Sequence, residues 1–389
     1  MAQKIKELFI FMMRLLPLRK MIVFESHPDF SDNTFALYEE LLRRGVQNRY
    51  KMYWIRTFHA DRGGEYHLPE NVGTIQKEPH SLREVLKRAY VLNCCRVIID
   101  CNSFIYKRRK GQVRIHLGHG MPVKIDLEYS RKFGDCDKYL VLSQFWKDIY
   151  TRQIHVPEQC LCFAGYPRND VLVNRVVNRD WQASVRSFHK VIIWLPTYRQ
   201  HRLHMERAMK NDYPYGMPVV HDLRELELLQ ETLEREQILL LFRPHPVQEL
   251  SVFERLSFSH IQIADDAYLR QFHMTLYELL GNTDGLITDY SSVYFDYLLT
   301  DQPVALTIED LSCYFEHFTL AFPDYRQFIK GVYVEGFEGL LSFLEQMAAG
   351  EDRCREERLA AKRMFHGDTD GASARRIADL LADKYGIRA

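Results

Sequence analysis

The residues best suited to chemistry lie in the stretch 284–296, where an apolar run ends in a cluster of hydroxyl side chains. Leu286 and Ile287 suit a buried strand, and apolar side chains return at helical spacing after Ser292. The pattern predicts a strand, a tight turn and a helix capped by Ser291 or Ser292. A helix start can bind a phosphate, because its N–H groups are unpaired and its dipole end is positive. The hydroxyl groups of Thr288, Ser291 and Ser292 can add further donors.

Two more apolar runs in this half of the chain end in polar turns that contain proline. The run 191–195 is followed by Thr197 and Arg199, and the run 238–242 by Arg243 and His245. Ligands of open α/β sheets bind beyond the carboxyl ends of the strands, so we expect these side chains to converge on one site. A phosphorylated ligand fits this set best. The alternative for the serines is a purely structural helix cap.

The candidate catalytic residue of the first half is His119. It follows the apolar run 113–117 and lies between Gly118 and Gly120, which let a ligand approach the backbone closely. Near pH 7 a neutral imidazole can accept the proton of an attacking hydroxyl group. The alternative is a histidine with a structural role.

In their order along the chain, these motifs resemble the CDP-glycerol glycerophosphotransferase family, the primases and polymerases of teichoic acid and related capsule polymers. The resemblance extends over nearly the whole chain. One departure is Gly118, which stands where the family usually has an aromatic residue. The motifs that carry the resemblance are 22–26, 31–33, 119–124, 165–170, 196–199, 243–246, 286–297 and 370–375.

The resemblance implies a role for each candidate residue. His119 matches the family's proposed base, and His245 would stabilise the departing CMP. Lys124 would either stabilise the charge of the phosphate or be a solvated surface lysine. Arg168 would either contact the substrate or hold the domain junction together. The donor diphosphate would be held by Arg243, His245, Thr288, Ser291 and Ser292, with Asp289 in the same turn and with Thr197 and Arg199 as further phosphate contacts.

The implied reaction is transfer of glycerol phosphate from CDP-glycerol to a hydroxyl group of a lipid-linked saccharide or a growing polymer, with release of CMP. The enzyme would therefore be a phosphotransferase. The implied fold is α/β and GT-B-like, with two Rossmann-type domains facing a central cleft. We expect an N-terminal acceptor domain over 21–175, a donor domain over 185–370, and a closing helix over 371–389 that crosses back to the first domain.

Length and composition agree with this organisation. A chain of 389 residues with 46% hydrophobic residues exceeds the size of a single core, so two domains are expected. Lys plus Arg equals Asp plus Glu, at 52 each, which removes a global electrostatic case for nucleic acid. The eight cysteines lack zinc-ribbon spacing. No cofactor is implied. The pairs His116/His119 and His201/His204 leave a divalent metal as an alternative, because histidine is a common metal ligand.

The N-terminal segment 1–20 carries basic residues around a strongly apolar stretch. The apolar stretch is too short to span a bilayer, which takes about 20 residues. It can lie in the interface of an anionic membrane, or it can pack on the core of the protein. The resemblance favours the membrane, so we expect a peripheral protein on the cytoplasmic face.

Three alternatives remain. A CDP-ribitol donor would leave no recognisable difference in motif. A GT-B glycosyltransferase that uses a nucleotide sugar would share the phosphate site. A catalytically silent, membrane-associated scaffold would bind nucleotide without turnover.

Overall fold

The structure is a computed structural model that describes residues 12–57, 68–125, 135–197, 213–244, 258–316, 319–367 and 369–389. The chain forms two compact units. The first comprises 1–121, 127–170 and 366–389, and the second comprises 122–126 and 171–365. Residues 122–126 thus cluster with the second unit, although they lie in the first third of the sequence. No helix among the described residues is long and apolar enough to cross a membrane.

The first unit is built on a seven-stranded sheet whose strand pairs are all parallel. The spatial order is β3-β2-β1-β4-β5-β7-β8. Its central strands are almost continuously buried, which explains their unbroken apolar runs. The strands are β1 Arg19–Glu25, β2 Lys51–Arg56, β3 Val72–Gln76, β4 Cys95–Asp100, β5 Val113–His116, β7 Lys138–Val141 and β8 Leu161–Phe163.

Three longer helices belong to the first unit, namely Asp32–Arg43, Leu82–Cys94 and Ser373–Tyr385. The second begins with a capping box, in which Ser81 and Glu84 bond each other's backbone N–H groups. The first ends before Gly45, whose φ of 78° suits glycine. Short helical turns cover Val46–Asn48, Gln144–Trp146, Ile149–Gln153, Glu158–Cys160 and Pro167–Asn169.

The second unit contains a six-stranded parallel sheet in the order β11-β10-β9-β12-β13-β15. A separate antiparallel pair joins β6 to β14. The strands are β6 Lys124–Ile125, β9 Lys190–Trp194, β10 Ile238–Phe242, β11 Ile261–Ile263, β12 Gly285–Thr288, β13 Val304–Thr307, β14 Thr319–Leu320 and β15 Val332–Val334. Parallel sheets in both units confirm the predicted α/β class.

The helices of the second unit follow its strands along the chain. Leu223–Arg235 packs on β10, and Phe337–Ala348 packs on β15 and on Leu223–Arg235, which closes an apolar core around the sheet. The others are Arg179–Val185, Asp266–Gln271, Leu276–Asn282, Val293–Tyr297, Leu311–Glu316, Tyr325–Phe328 and Arg355–His366, with a 3₁₀ turn at Leu298–Thr300 and a short helix, Asp170–Val173, at the boundary between the units.

The closing helix Ser373–Tyr385 is fixed to the first unit through Asp170. The Asp170 carboxylate accepts hydrogen bonds from the N–H groups of Ser373 and Ala374, at 2.8 and 2.9 Å. A carboxylate at a helix start is favourable, because it satisfies unpaired donors at the positive end of the dipole. The same helix packs along Asp32–Arg43.

Asp170→Ala should destabilise the closing helix by about 2 kcal/mol, because two charge-assisted bonds are lost. Burial raises the pKa of Asp170, so desolvation offsets part of their contribution. Asp379→Ala is the matched control, since its pair with Arg44 is 54% exposed on the aspartate side and should contribute less than about 1 kcal/mol. Melting temperature and hydrogen exchange of the helix amides measure the difference. Equal losses in the two variants would contradict the assigned cap.

Candidate active site

His119 lies in the loop after β5, where the backbone conformation is unusual. Gly118 has a φ of 65°, and a Cβ atom at this position would lie 3.1 Å from the Tyr166 hydroxyl. Tyr166 is completely buried and packs against this loop. A side chain at position 118 would therefore be strained and crowded, which explains why this chain has glycine there.

One hydrogen bond determines the tautomer of His119. Its Nδ1 lies 3.1 Å from the carbonyl oxygen of Cys101, and a carbonyl can only accept, so Nδ1–H donates. In the neutral ring, Nε2 then carries the lone pair. The side chain retains an exposed surface. His119 is therefore oriented to accept a proton at Nε2.

The surroundings of His119 lower its pKa. The ring has an exposed edge but many protein atoms around it, and this partial desolvation is the largest cause. The carboxylate of Asp32 acts in the opposite direction, while the charge of Arg168 adds to the lowering. The imidazole is thus neutral at pH 7, which a general base requires.

Arg168 braces the His119 loop. It is buried, and its Nη1 donates to the His119 carbonyl at 2.8 Å and to Asp32 at 2.6 Å. The Asn33 side chain accepts from the Arg168 N–H at 3.2 Å and donates to the Gly118 carbonyl at 2.9 Å. These contacts lie within the first unit, whereas the sequence predicted that Arg168 contacts substrate or ties the domain junction. Asp32 and Asn33 were identified from the sequence only as part of the motif 31–33, because partners far along the chain carry no sequence signal.

His116 is the last residue of β5, and its ring stacks between those of Phe104 and Tyr139. Its Nδ1 is 2.7 Å from one carboxylate oxygen of Asp100, and the other oxygen accepts from Arg114 Nε at 3.1 Å. All three side chains are buried. The described residues contain no group of three His, Cys, Asp or Glu side chains placed to hold a metal ion. His201 and His204 lie outside the described residues.

In the second unit, Asp289 ties the ends of β9 and β12 together. Its buried carboxylate accepts from the N–H of Thr197, at 2.9 and 3.1 Å to the two oxygens, and from the Thr197 hydroxyl. Thr288 is also fully buried and donates its hydroxyl to the Leu195 carbonyl at 2.7 Å. The sequence predicted Thr197, Thr288 and Asp289 as substrate contacts. In the structure their side chains bond to one another or to the backbone and fix the conformation of the loop.

Ser291 and Ser292 follow this tie and are partly exposed. Ser292 is the N-cap of Val293–Tyr297 but makes no side-chain cap bond, and the Ser291 hydroxyl accepts a long contact of 3.4 Å from the Val293 N–H. The helix is five residues long, so its dipole is small. The donors that the turn offers are therefore mainly the two hydroxyl groups.

Lys124 lies in the second unit, and contacts link it to the turn that contains Ser291 and Ser292, here called the serine turn. Its ammonium group donates to the Tyr314 hydroxyl at 2.9 Å. The Tyr314 ring stacks on Tyr290, with ring centroids 3.9 Å apart. Tyr290 directly precedes Ser291, so these contacts join Lys124 to the serine turn. This proximity depends on the pairing of β6 with β14, which sequence order does not reveal.

Arg243 lies at the end of β10, which is next to β9. Its guanidinium donates to the Ala264 carbonyl and to Asp266, both at 2.6 Å. Asp266 is 59% exposed, so this ion pair is weak and exchangeable. Arg199 and His245 lie outside the described residues.

The family profile described as CDP-Glycerol:Poly(glycerophosphate) glycerophosphotransferase matches residues 8–383. The chain belongs to this family. The resemblance predicted from the motifs is therefore confirmed, and so is its assignment as a phosphotransferase of the CDP-glycerol glycerophosphotransferase type.

Individual relatives support the same assignment. The chain is 24% identical to the teichoic acid glycerol-phosphate transferase of Staphylococcus aureus (strain NCTC 8325 / PS 47), over 94% of each chain. It is 25% identical to the teichoic acid ribitol-phosphate primase of Bacillus spizizenii (strain ATCC 23059 / NRRL B-14472 / W23), over 75% of this chain and 76% of that one. It spans only 46% of the length of the poly(glycerol phosphate) polymerase of Bacillus subtilis (strain 168).

The fold is also found in a solved structure. The wall teichoic acid polymerase TagF, in its H444N variant, matches with a TM-score of 0.77 at 21% identity. The match covers 98% of this chain and 92% of that one. This similarity confirms the predicted GT-B-like fold class.

Arg168→Gln should move the acid limb of the pH–rate profile to higher pH. Loss of the guanidinium removes a charge that lowers the pKa of His119 and leaves Asp32, which raises it, without this partner. A higher pKa means that the base is protonated, and activity lost, at a higher pH than in the wild type. NMR titration of His119 measures the pKa directly. Arg152→Gln, at a 78% exposed arginine of the same unit, should leave it unchanged. An unchanged profile in Arg168→Gln would contradict this electrostatic role.

Proposed function

We propose that this chain transfers glycerol phosphate from CDP-glycerol to a hydroxyl group of a lipid-linked saccharide or a growing teichoic-acid-type polymer. The proposal rests on family membership over residues 8–383 and, within the structure, on the orientation of His119. A neutral ring whose Nδ1–H is bonded to a carbonyl carries its lone pair on Nε2. Such a group suits removal of a proton from an acceptor hydroxyl.

In the proposed step, His119 Nε2 takes the proton of the acceptor hydroxyl as its oxygen attacks the phosphorus that carries glycerol. A new P–O bond forms to the acceptor, and the P–O bond to CMP breaks. CMP leaves with the electron pair of that bond, and His119 later returns its proton to solvent. Positioning and charge stabilisation contribute most of the rate in phosphoryl transfer, so the donor contacts matter as much as the base.

The donor contacts are assigned to the second unit. Ser291 and Ser292 supply hydroxyl donors, while Lys124 and Arg243 supply positive charge near the same ends of the strands. Thr197, Thr288 and Asp289 act by shaping the turn. Arg199 and His245 retain the roles that their motifs imply, phosphate binding and stabilisation of the departing CMP.

We assign the acceptor to a lipid-linked molecule that lies in a membrane. The Staphylococcus aureus relative is named as a teichoic acid glycerol-phosphate transferase, and this chain spans 94% of its length. The basic, apolar segment 1–20 would hold the protein peripherally on an anionic surface at the cytoplasmic face. Residues 1–11 of that segment lie outside the described residues.

Donor identity separates this proposal from its alternatives. A ribitol-phosphate primase is among the relatives, so CDP-ribitol is the second candidate donor. Purified protein should release CMP from CDP-glycerol in the presence of a lipid-linked saccharide. Faster release from CDP-ribitol would overturn the choice of donor. Turnover of a UDP-sugar instead would favour a glycosyltransferase, and nucleotide binding without any turnover would favour a scaffold.

His119→Ala should lower the transfer rate by about 10²–10⁴ while CDP-glycerol still binds, because the base contacts the acceptor and not the nucleotide. His189→Ala, at an exposed histidine of the second unit, is the matched control and should behave as wild type. Calorimetric titration of CDP-glycerol and a CMP-release assay measure the two properties separately. Substantial transfer by His119→Ala, or loss of donor binding, would refute the assignment.

The double variant Ser291→Ala with Ser292→Ala should weaken CDP-glycerol binding by about tenfold or more, because hydroxyl bonds to a charged phosphate contribute about 1.5–3 kcal/mol each. Thermal stability should hardly change, since neither serine makes a short cap bond. Ser342→Ala, at an exposed serine of another helix, is the control. A large fall in melting temperature with unchanged donor affinity would show that the serines are structural.

A further inference from the structure

The first unit contains a cavity of about 550 Å³ that no part of the proposed reaction uses. Helix Leu82–Cys94 forms one wall. Cationic side chains converge on the cavity from four places: Arg14 in the N-terminal segment, Lys77 after β3, Arg88 on the helix and Arg108 between β4 and β5. Glu78 is the carboxylate among the lining residues. Because the cationic groups outnumber it, the cavity favours an anion.

The main evidence that the cavity binds an anion comes from Arg88. Its Nε is buried, and Arg88 has no hydrogen-bond or ion-pair partner in the described part of the chain. Burial lowers its pKa, and the nearby charge of Arg108 lowers it further. Two arginines that repel each other in a partly desolvated cavity cost free energy unless an anion joins them. A phosphate satisfies this requirement, because its oxygens can accept two bonds from a guanidinium.

Lys77 differs from Arg88 because it already has a partner. Its ammonium group donates to the Ser103 hydroxyl at 2.7 Å, and the Ser103 N–H bonds the carboxylate of Glu25. Lys77 is therefore held at the rim of the cavity by the protein itself. The arginines are the groups that a ligand would pair.

Exposed apolar side chains adjoin the cationic lining. Met12 and Leu15 are 45% and 71% exposed and flank Arg14, and Leu82 is 74% exposed at the start of the helix that carries Arg88. The Met13 carbonyl accepts from the Cys94 thiol at 3.7 Å, which joins this segment to the other end of the helix. Apolar side chains around basic groups are typical of surfaces that lie on anionic lipid.

We propose that this cavity binds the phosphate or diphosphate group of a membrane lipid. It is a site of the first unit, whereas the serine turn belongs to the second. The ligand is either a bulk anionic lipid or the lipid-linked acceptor itself. Only the second source rests on the proposed function.

Inorganic pyrophosphate is the first probe, because it carries the group without the lipid. Arg88→Gln with Arg108→Gln should weaken its binding by about tenfold or more, as expected for lost charge-assisted bonds. Arg83→Gln is the matched control, on the same helix and exposed but outside the cavity. Pyrophosphate can also bind the serine turn, so the Ser291→Ala/Ser292→Ala variant should retain the component that the arginine variant loses. Melting temperature should not fall in Arg88→Gln, since an unpaired charge is removed.

Two further measurements separate the sources of the phosphate. If the ligand is a bulk lipid, the arginine variant should bind phosphatidylglycerol vesicles several-fold less tightly than Arg83→Gln does, with phosphatidylcholine vesicles as the uncharged reference. If the ligand is the acceptor, vesicle binding should persist while KM rises for a diphosphate-linked lipid acceptor and not for a soluble saccharide. Either result supports the site.

Equal pyrophosphate affinity in the arginine variant and in Arg83→Gln would overturn the proposal, as would a loss of pyrophosphate binding with no effect on vesicles or on acceptor KM. The pyrophosphate and vesicle measurements need no turnover. They can therefore fail while CDP-glycerol transfer stands, and they can succeed if the transfer assay fails.

Discussion

The loop that carries His119 depends on an ion pair between Arg168, which is buried, and Asp32, which is partly buried. A single guanidinium nitrogen bonds the Asp32 carboxylate and the carbonyl of His119, so the ion pair and the position of the candidate base are coupled. Both side chains are largely withdrawn from solvent, and such a pair costs desolvation that only good geometry repays. The loop around Gly118, with its positive φ, is held by the same pair together with Asn33. What the pair provides is a fixed position for the loop that carries the candidate base.

The second unit uses a buried carboxylate for an equivalent purpose. Asp289 joins two neighbouring strand ends through Thr197, and the hydroxyl of Thr288 is turned inward to the Leu195 carbonyl. Because these polar groups satisfy one another, the turn is fixed without the serines that follow. Ser291 and Ser292 remain partly exposed and make no short cap bond. Within one short motif, some residues therefore shape the turn and others are able to bind a ligand.

Much of the fold could be predicted from sequence, because buried parallel strands need long apolar runs and helices need recognisable starts and stops. The stretch 284–296 is an example, since its apolar run forms β12 and a helix begins at Val293. The roles of single polar residues could not be predicted in the same way. Thr288 and Ser291 have similar hydroxyl groups in one motif, and only the three-dimensional partners distinguish them. The sequence also does not show which unit contains Lys124. Its position depends on the pairing of Lys124–Ile125 with Thr319–Leu320, which lies far along the chain.

The lowered pKa of His119 has a chemical consequence. An ordinary histidine has a pKa near 6.5 and is already mostly neutral at pH 7. A further decrease therefore adds little to the neutral fraction, and it makes the imidazole a weaker base in the transition state. The environment of His119 therefore does not increase the basicity of its imidazole. In the proposed reaction His119 would contribute a correctly oriented Nε2, so most of the rate would come from placement of the attacking oxygen and from donors that stabilise charge on the transferred phosphoryl group.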